Sequence, residues 1–317
     1  MIGRRPLLGN LAALTALSTV QLVSAVPAMA EEWEEIPLWP GKPPGRGGTT
    51  GPEKIGGPGA GFGAVSNIST ARMRVYRPAQ PNGAAVVVCG GGGYFRIQLW
   101  KESTPIARWL QERGFTVFEL IYRLPNDGWD ASVPFMDAQR AMRIVRTRAA
   151  EFNLDPQQIG IMGFSAGGHL AGFTALQPDR QLYAGSDRYE KASARPDFSV
   201  LLFPVVSLRK PYDTTRTRRE IVGEKPSAKA EIAWSLDTYA SADAPPTIIF
   251  ASADDRITPP GHGILLFETL NTAGASVELH LFRDGGHGWG LGRPEQVLSQ
   301  WPDMFQEWYR SITTQQD

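Results

Sequence analysis

The stretch that decides the fold runs from residue 159 to residue 170 and reads IGIMGFSAGGHL. Its first five residues form a short apolar run typical of a buried β-strand, and a helical pattern begins at Ala166. Between the two lies the pattern Gly-x-Ser-x-Gly, centred on Ser165. The two glycines leave room for a tight turn from which the serine hydroxyl projects toward solvent. The stretch therefore predicts a strand, a sharp turn that carries a serine, and a helix.

Apolar runs rich in valine, isoleucine and leucine alternate with helical patterns on both sides of this stretch. Such runs indicate strands covered on both faces, which is typical of a mainly parallel α/β sheet with helices on both sides. We predict a single domain over residues 65–317, preceded by a Gly/Pro-rich segment over residues 31–64. The predicted strands are 84–89, 115–122, 159–163, 199–206, 247–252 and 276–282, and the predicted helices are 104–113, 134–152, 166–176, 261–271 and 294–312.

Charge and composition exclude several classes of protein. The 317 residues include 32 Lys/Arg and 32 Asp/Glu, so the formal net charge is zero. Nothing in that balance favours binding of nucleic acid. One cysteine excludes a disulfide scaffold and a Cys-based metal site, and four histidines leave little material for a His-rich centre. The four arginines of the long second helix are expected to form a solvated face: Arg140, Arg143, Arg146 and Arg148.

Residues 1–30 are predicted to be an export signal. Arg4-Arg5 form a charged start, residues 7–26 are apolar and small, and Ala28-Met29-Ala30 is a typical cleavage site. A membrane anchor is the alternative, but polar residues interrupt the apolar core. We therefore expect a periplasmic or secreted protein without stable membrane insertion after cleavage. The arginine pair leaves both the general secretory and the twin-arginine routes open.

A serine hydroxyl becomes a strong nucleophile when a base removes its proton and an acid orients that base. In this strand–turn–helix setting the expected order along the chain is serine, acid, histidine. Residues 283–289 (RDGGHGW) follow a predicted strand, and their glycines leave His287 free to turn toward Ser165. We therefore predict His287 as the base. The other histidines lie within predicted helices or strands, where they are less suited: His169, His262 and His280.

The acid is expected at the end of the preceding strand, where residues 253–257 read ADDRI. We favour Asp254 because an acid three residues before an Ile or Val is the usual pattern at this strand end, and Asp255 is the alternative. Either carboxylate would also suit a helix cap or a surface ion pair.

The reaction also needs N–H donors for the oxygen that becomes negative in the tetrahedral intermediate. One donor is expected to be the backbone N–H of Ala166, directly after the serine. The other is expected from the loop 90–94 (GGGGY), whose glycines let backbone amides approach a substrate. Phosphate binding is the alternative for this loop, but its spacing fits neither common phosphate-binding pattern.

These motifs resemble the α/β-hydrolase superfamily and, more narrowly, its bacterial carbohydrate-esterase-like branch, which includes acetyl-xylan and feruloyl esterases. The most specific matches are GFSAGGHL at 163–170 and GGHG at 285–288. Further matches are IPLWPG at 36–41, GGGY at 91–94, YRLP at 122–125, DAQRAM at 137–142 and ADD at 253–255.

The resemblance implies an α/β-hydrolase fold and a serine esterase. It assigns Ser165 as nucleophile, Asp254 as orienting acid and His287 as base, and it implies the oxyanion donors Gly92, Gly93 and Ala166. One position departs from the pattern, because many relatives have His or Pro where Gly90 stands.

The expected reaction is hydrolysis of short-chain or carbohydrate-linked esters through an acyl-enzyme, with no metal or organic cofactor. The expected substrate is a small-molecule or oligosaccharide ester. Two alternatives stay open: a serine peptidase of the prolyl-oligopeptidase kind, and a non-catalytic binding module on a hydrolase fold.

Two further groups of residues have an open role. The aromatic residues Tyr94, Trp100, Trp129 and Trp289 either stack on sugar rings or fill the core. The basic run 209–219 (RKPYDTTRTRR) is expected to be a solvated loop. If that run faces the site instead, it would suit an acidic substituent on the substrate.

Overall fold

The computed structural model describes residues 34–56, 63–185 and 187–314, together with residues 1 and 3. Apart from those two isolated positions, the predicted export signal lies outside the described residues. The strands are β1 (Glu34–Pro37), β2 (Lys54–Ile55), β3 (Ala64–Ser66), β4 (Arg72–Tyr76), β5 (Ala85–Cys89), β6 (Ile97–Gln98), β7 (Thr116–Ile121), β8 (Ile159–Phe164), β9 (Ser199–Leu202), β10 (Thr247–Ser252) and β11 (Val277–Phe282). The α-helices are α1 (Thr104–Gln111), α2 (Val133–Thr147), α3 (Ala166–Leu176), α4 (Arg216–Val222), α5 (Ala228–Ala233), α6 (Gly261–Thr272) and α7 (Trp301–Thr314).

Eight of these strands form the central sheet, in the order β1-β4-β7-β5-β8-β9-β10-β11. Six neighbouring strands run parallel to one another: β7, β5, β8, β9, β10 and β11. At one edge of the sheet, β4 is antiparallel to β7, and β1 is antiparallel to β4. The prediction of a mainly parallel α/β sheet is confirmed. The remaining strands β2, β3 and β6 form a separate small sheet.

Helices cover the central sheet on both faces because the strand side chains alternate between two apolar layers. In β5 all five residues are buried. Val87 belongs to the same layer as Phe135 of α2, and Val86 belongs to the layer that contains Trp301 of α7. Helices α2, α3 and α6 pack on the first face, and α1 and α7 pack on the second.

The sheet begins earlier in the chain than the predicted domain boundary at residue 65. Strand β1 pairs with β4, so residues 34–37 of the predicted Gly/Pro-rich segment form the edge of the main sheet. Two- to five-residue strands with charged positions, such as β1 and β4, have too little apolar periodicity to be distinguished from loops.

The prediction that Arg140 lies on a solvated face of α2 is wrong. The Arg140 side chain is only 2% exposed, and it bonds the carboxylates of Asp187 and Glu190 and the carbonyl of Leu38. The helical pattern of α2 shows which residues share a face, but it contains no information about carboxylates that a distant segment brings to that face.

Two helix bounds differ from the prediction by five residues or more. Helix α2 ends at Thr147 and a short 3₁₀ turn, Ala149–Phe152, follows it. The last helix begins at Trp301 rather than at residue 294. In the described part of the chain, none of the helices combines the length and the apolar character that crossing a bilayer requires.

A buried ion pair attaches the N-terminal segment to the sheet. The side chains of Arg123 and Asp137 are both 0% exposed, and their closest atoms are 2.6 Å apart. Asp137 also accepts a hydrogen bond from Trp39 Nε1 at 2.7 Å, and Arg123 donates to the carbonyl oxygen of Pro44 at 2.7 Å. The pair therefore joins residues 39–44 to the start of the loop after β7.

Replacement of Arg123 by methionine should strongly destabilise the protein. The substitution leaves the Asp137 carboxylate buried without its partner, which costs roughly 3–5 kcal/mol. Urea unfolding would measure this loss. Arg283→Met is the control, because the Arg283 side chain is 93% exposed and its loss should change the free energy of unfolding by less than about 0.5 kcal/mol. Equal midpoints for the two variants would contradict the assigned role of the pair.

Candidate active site

Ser165 lies at the turn between β8 and α3, in a backbone conformation that is rare for a residue with a side chain. Its φ is 52° and its ψ is −115°. A non-glycine residue in such a region costs on the order of 1–3 kcal/mol and persists only where its surroundings fix it. The sequence motif predicted this strained turn.

Backbone hydrogen bonds hold the turn in place. The N–H of Ser165 donates to the carbonyl oxygen of Leu202 at 2.9 Å, at the end of the neighbouring strand β9. The carbonyl oxygen of Ser165 accepts from the N–H groups of His169 and Val205, at 3.0 and 3.2 Å. Both polar backbone groups of the strained residue are thus used, and the serine is tied to β9 as well as to α3.

The two motif glycines allow the close approach that this turn requires. A methyl group at Gly163 would lie 2.1 Å from the carbonyl oxygen of Gly167. A methyl group at Gly167 would lie 2.2 Å from the carbonyl oxygen of Cys89, at the end of β5. Both contacts are with backbone, which has little freedom to move aside, so the spacing of the motif follows from packing.

His287 lies in the loop after β11 and contacts both Ser165 and an aspartate. Its Nε2 is 2.9 Å from the Oγ of Ser165, and its Nδ1 is 2.7 Å from an Oδ of Asp255. The imidazole also packs edge-on against the ring of Phe203, with 4.7 Å between the ring centroids. The structure therefore brings a hydroxyl, an imidazole and a carboxylate into one hydrogen-bonded chain.

The aspartate in this chain is Asp255, so the preference for Asp254 as the orienting acid is wrong. The carboxylate of Asp255 is buried, with 1% of its side chain exposed. Its Oδ1 accepts from the N–H groups of Ile257 and Thr258 at 2.8 and 2.9 Å, which leaves Oδ2 for His287. The turn after β10 directs Asp255 inward, a detail of backbone geometry that two adjacent aspartates in a sequence do not reveal.

Asp254 is exposed and holds the neighbouring loop instead. Its Oδ1 accepts from the N–H of Gly286 at 2.8 Å and from the hydroxyl of Ser252 at 2.9 Å. The hydrogen bond from Gly286 is the largest of the effects that lower the pKa of the Asp254 carboxyl. Because Gly286 directly precedes His287, Asp254 fixes the backbone from which the imidazole projects.

The imidazole rings of the other three histidines do not contact the Ser165 hydroxyl. His169 is buried between the hydroxyl of Tyr94 and the carbonyl oxygen of Trp234, and burial lowers its pKa to about 4. His262 accepts at Nδ1 from the N–H of Val206, and burial also lowers its pKa to about 4. His280 pairs with Glu278.

Cys89 is fully buried, and burial raises the pKa of its thiol, which makes it a poor nucleophile.

The glycine loop after β5 faces the same site. Gly92 and Gly93 line the cavity beside Ser165 and His287, and both have positive φ. Among the described residues, no group accepts a hydrogen bond from the N–H of Gly92 or Gly93. Ala166 is the first residue of α3, where N–H groups have no partner within the helix. Gly92 and Gly93 therefore line the cavity of the serine, and Ala166 directly follows the serine in the chain.

Glu102 is a residue of this site that the sequence did not single out. It lies on a single π-helical turn, Leu99–Ser103, before α1. Its Oε2 accepts from the N–H of Gly91 at 2.7 Å, and burial raises the pKa of its carboxyl. Glu102 thus holds the glycine loop from behind, next to the position at which Gly92 and Gly93 face the cavity.

The cavity at the serine has a volume of about 260 Å³. Besides the reactive groups, its lining includes the cationic side chains of Arg96, Lys101 and Arg216. Phe95 and Ile257 add apolar surface, and Thr258 adds a polar side chain. Arg216 belongs to the basic run 209–219, so part of that run faces the site and the expectation of a wholly solvated loop is wrong. Within the described residues, no cluster of His, Cys, Asp and Glu has the arrangement of a metal site.

The four aromatic residues with an open role do not line this cavity. Tyr94 is fully buried, and Trp289 packs against Phe203 with 4.5 Å between ring centroids. Trp129 donates its indole N–H to the carbonyl oxygen of Ile68. Trp100 is 52% exposed, but its ring lies over Gly63. Among the described Phe, Trp and Tyr residues, Phe95 does line the cavity.

Substitution by asparagine should affect kcat very differently at Asp255 and at Asp254. Asp255→Asn should lower kcat for an ester by about 10³- to 10⁴-fold, because an amide cannot hold the imidazole in the required tautomer or stabilise its charged form. Asp254→Asn keeps an oxygen that can accept from Gly286, so kcat should fall by less than about tenfold. Steady-state kinetics on p-nitrophenyl acetate would measure both. The reverse order of effects would assign the orienting role to Asp254.

Substitution of Gly167 should disturb the fold at the nucleophile. The added methyl group of Gly167→Ala meets backbone at 2.2 Å, and overpacking of this kind costs about 1–3 kcal/mol. Gly263→Ala is the matched control. Gly263 lies in helix α6, and the nearest atom to its added methyl group would be 3.4 Å away, an ordinary van der Waals distance. Thermal unfolding should show a lower Tm for Gly167→Ala only. A Tm equal to that of the wild type would show that the turn tolerates a side chain there.

Comparison with known proteins places these features in a family. The BD-FAE family model matches residues 73–270. The acetylxylan esterase of Xylanibacter ruminicola is 30% identical over 253 residues, which cover 78% of this chain and 50% of that protein. The endo-1,4-beta-xylanase B of Butyrivibrio fibrisolvens is 28% identical over 68% of this chain and 34% of its own length. The chain therefore spans half or less of the length of these two relatives.

Solved structures show the same architecture. The acetyl ester-xyloside bifunctional hydrolase of Caldicellulosiruptor lactoaceticus matches with a TM-score of 0.73 and 29% identity, over 90% of this chain and 98% of that one. Esterase 2 of Thermogutta terrifontis with propionate bound matches with a TM-score of 0.64 and 28% identity, over 78% and 90% of the two chains. A further structure of that esterase is phosphorylated by paraoxon. From its sequence, its α/β-hydrolase fold and these relatives, the chain belongs to the BD-FAE family of carbohydrate-esterase-like α/β-hydrolases.

Proposed function

We propose that this protein is a serine esterase that hydrolyses short-chain or carbohydrate-linked esters through an acyl-enzyme. The observation that carries the proposal is the chain of hydrogen bonds from Ser165 through His287 to Asp255, with distances of 2.9 and 2.7 Å. The match to an acetylxylan esterase and the structural likeness to esterases support the same reaction class.

The reaction begins when His287 Nε2 takes the proton of the Ser165 hydroxyl as its oxygen attacks the ester carbonyl carbon. Asp255 holds the ring by its Nδ1–H and stabilises the positive charge that the imidazole gains. The carbonyl oxygen becomes an oxyanion, which accepts hydrogen bonds from the N–H groups of Gly92, Gly93 and Ala166.

Collapse of this intermediate breaks the bond to the alcohol, which leaves with the proton that His287 returns. The acyl group stays on Ser165. A water molecule then gives its proton to His287 and attacks the acyl carbon, and the second collapse releases the acid and restores the serine hydroxyl. Neither half of the cycle requires a metal or an organic cofactor.

The size of the cavity favours a small acyl group. A volume of about 260 Å³ is below the usual range for pockets that enclose a drug-sized ligand, about 300–1,000 Å³. Phe95 and Ile257 supply apolar surface for an acetyl or similar group. We infer that the alcohol part, a sugar in the favoured case, extends from the cavity toward solvent.

We also propose that the protein acts outside the cytoplasm, in the periplasm or as a secreted enzyme. The support is the charged start, apolar core and Ala28-Met29-Ala30 cleavage pattern at the N-terminus. Mass determination of the N-terminus of the exported protein would test the proposed cleavage after Ala30.

Substitution of Ser165 by alanine tests the proposed chemistry. The variant removes the nucleophile, so turnover of p-nitrophenyl acetate should fall by about 10³-fold or more. The fold should survive, because the backbone contacts of residue 165 do not need the hydroxyl. Ser241→Ala removes an exposed serine and serves as the control, with unchanged turnover. Near-wild-type activity of Ser165→Ala would refute the assignment. Preferential cleavage of a proline-linked amide by the wild type would favour a peptidase instead.

A further inference from the structure

In the part of the chain that the structure describes, three Arg and Lys side chains line the cavity that holds Ser165, and they come from two separate segments. Arg96 and Lys101 follow the glycine loop, and Arg216 begins helix α4. The guanidinium carbons of Arg96 and Arg216 lie 4.8 and 5.1 Å from the ring centre of Phe95. Phe95 is thus flanked by two positive groups at one wall of the cavity.

Two of these cations lie near the Glu102 carboxylate and interact with it electrostatically, but neither is in ion-pair contact with it. Within the described part of the chain, neither Arg96 nor Lys101 forms an ion pair. With the Gln98 amide oxygen facing the guanidinium, that oxygen accepts from Nε and Nη2 of Arg96 at 3.1 and 3.0 Å. This neutral contact orients the guanidinium without neutralising it. Arg216, by contrast, pairs with Glu220 and also contacts Asn126.

Among the described residues, Glu102 is the one carboxyl group that lines the same cavity; it is 3% exposed, and its Oε2 accepts from the N–H of Gly91. One carboxylate can offset at most one of the positive charges of Arg96 and Lys101, with which it interacts. The charges that remain at the cavity are therefore predominantly positive, although the whole chain has a net charge of zero. A cleft with an excess of positive charge attracts an anionic ligand, because its low-dielectric walls focus the field.

We propose that the ester substrate carries a carboxylate, as in an O-acetylated uronic acid, and that Arg96 and Lys101 bind this carboxylate while the acetyl group reaches Ser165. The proposal rests on the proposed esterase function of the same site. A planar guanidinium suits a carboxylate because its N–H groups match both oxygens, and an ammonium adds a second point of charge. The neutral net charge of the chain favours a single anionic sugar over a polyanion.

The test uses two substrates that differ only in charge. One is an O-acetylated methyl glucuronoside with a free carboxylate, and the other is its primary carboxamide, which has nearly the same shape. For the wild type, kcat/KM should be about tenfold or more higher for the acid, mainly through a lower KM, which is the usual scale of a charge-assisted hydrogen bond. At 0.5 M NaCl the ratio should move toward 1 because salt screens exposed charges.

Substitutions of single cations then test which residues cause the preference for the acid over the amide. Arg96→Gln and Lys101→Gln should each lower the acid-to-amide ratio several-fold, and Arg96→Lys should retain part of it because the charge remains. Arg310→Gln is the matched control, since it removes a cation from the exposed surface of helix α7, and its ratio should equal that of the wild type.

The comparison in the wild type alone is sufficient to overturn the proposal. If the acid and the amide are hydrolysed equally well while p-nitrophenyl acetate is turned over, the carboxylate site is refuted and the esterase function stands. If none of the three esters is hydrolysed, the proposed function fails and this inference fails with it. An acid preference that Arg310→Gln abolishes as fully as Arg96→Gln does would also refute the assigned site.

Discussion

The backbone of Ser165, held at a φ of 52°, is the constraint on which the rest of the site depends. A side chain in that conformation is unfavourable unless its surroundings compensate. Here the compensation comes from hydrogen bonds to Leu202 and Val205, outside the motif itself. In this turn the Ser165 hydroxyl lies in hydrogen-bond contact with His287, and the packing at residues 163 and 167 leaves no room for side chains there.

The parallel orientation of the central strands explains why residues so far apart in the chain meet. The carboxyl ends of strands β5, β8, β10 and β11 lie on the same side of the sheet, because the strands are parallel. The groups of the site follow those carboxyl ends. The glycine loop follows β5, Ser165 follows β8, Asp255 follows β10 and His287 follows β11. This placement is the general behaviour of open α/β sheets, in which ligands bind beyond the carboxyl ends of the strands.

The sequence allowed the parallel core and the serine turn to be predicted because both depend on local pattern. Buried strands are continuous apolar runs, and the turn needs glycines at fixed positions. The choice between Asp254 and Asp255 depended on the direction of a loop, which is set by contacts to Gly286 and to residues 257 and 258. Glu102 and Arg140 were missed or misplaced for a related reason. Their buried charges are matched by groups such as the N–H of Gly91 and the carboxylate of Asp187, and only the folded chain brings these partners together.

In the proposed reaction, the oxygen of Ser165 becomes covalently bonded to the acyl group during turnover. The most direct measurement is reaction of the full chain with a fluorophosphonate, followed by intact-mass analysis and peptide mapping. We predict one adduct per molecule, located on Ser165, and loss of labelling in the Asp255→Asn variant at short reaction times. An adduct on another residue, or no adduct in protein that hydrolyses p-nitrophenyl acetate, would contradict it.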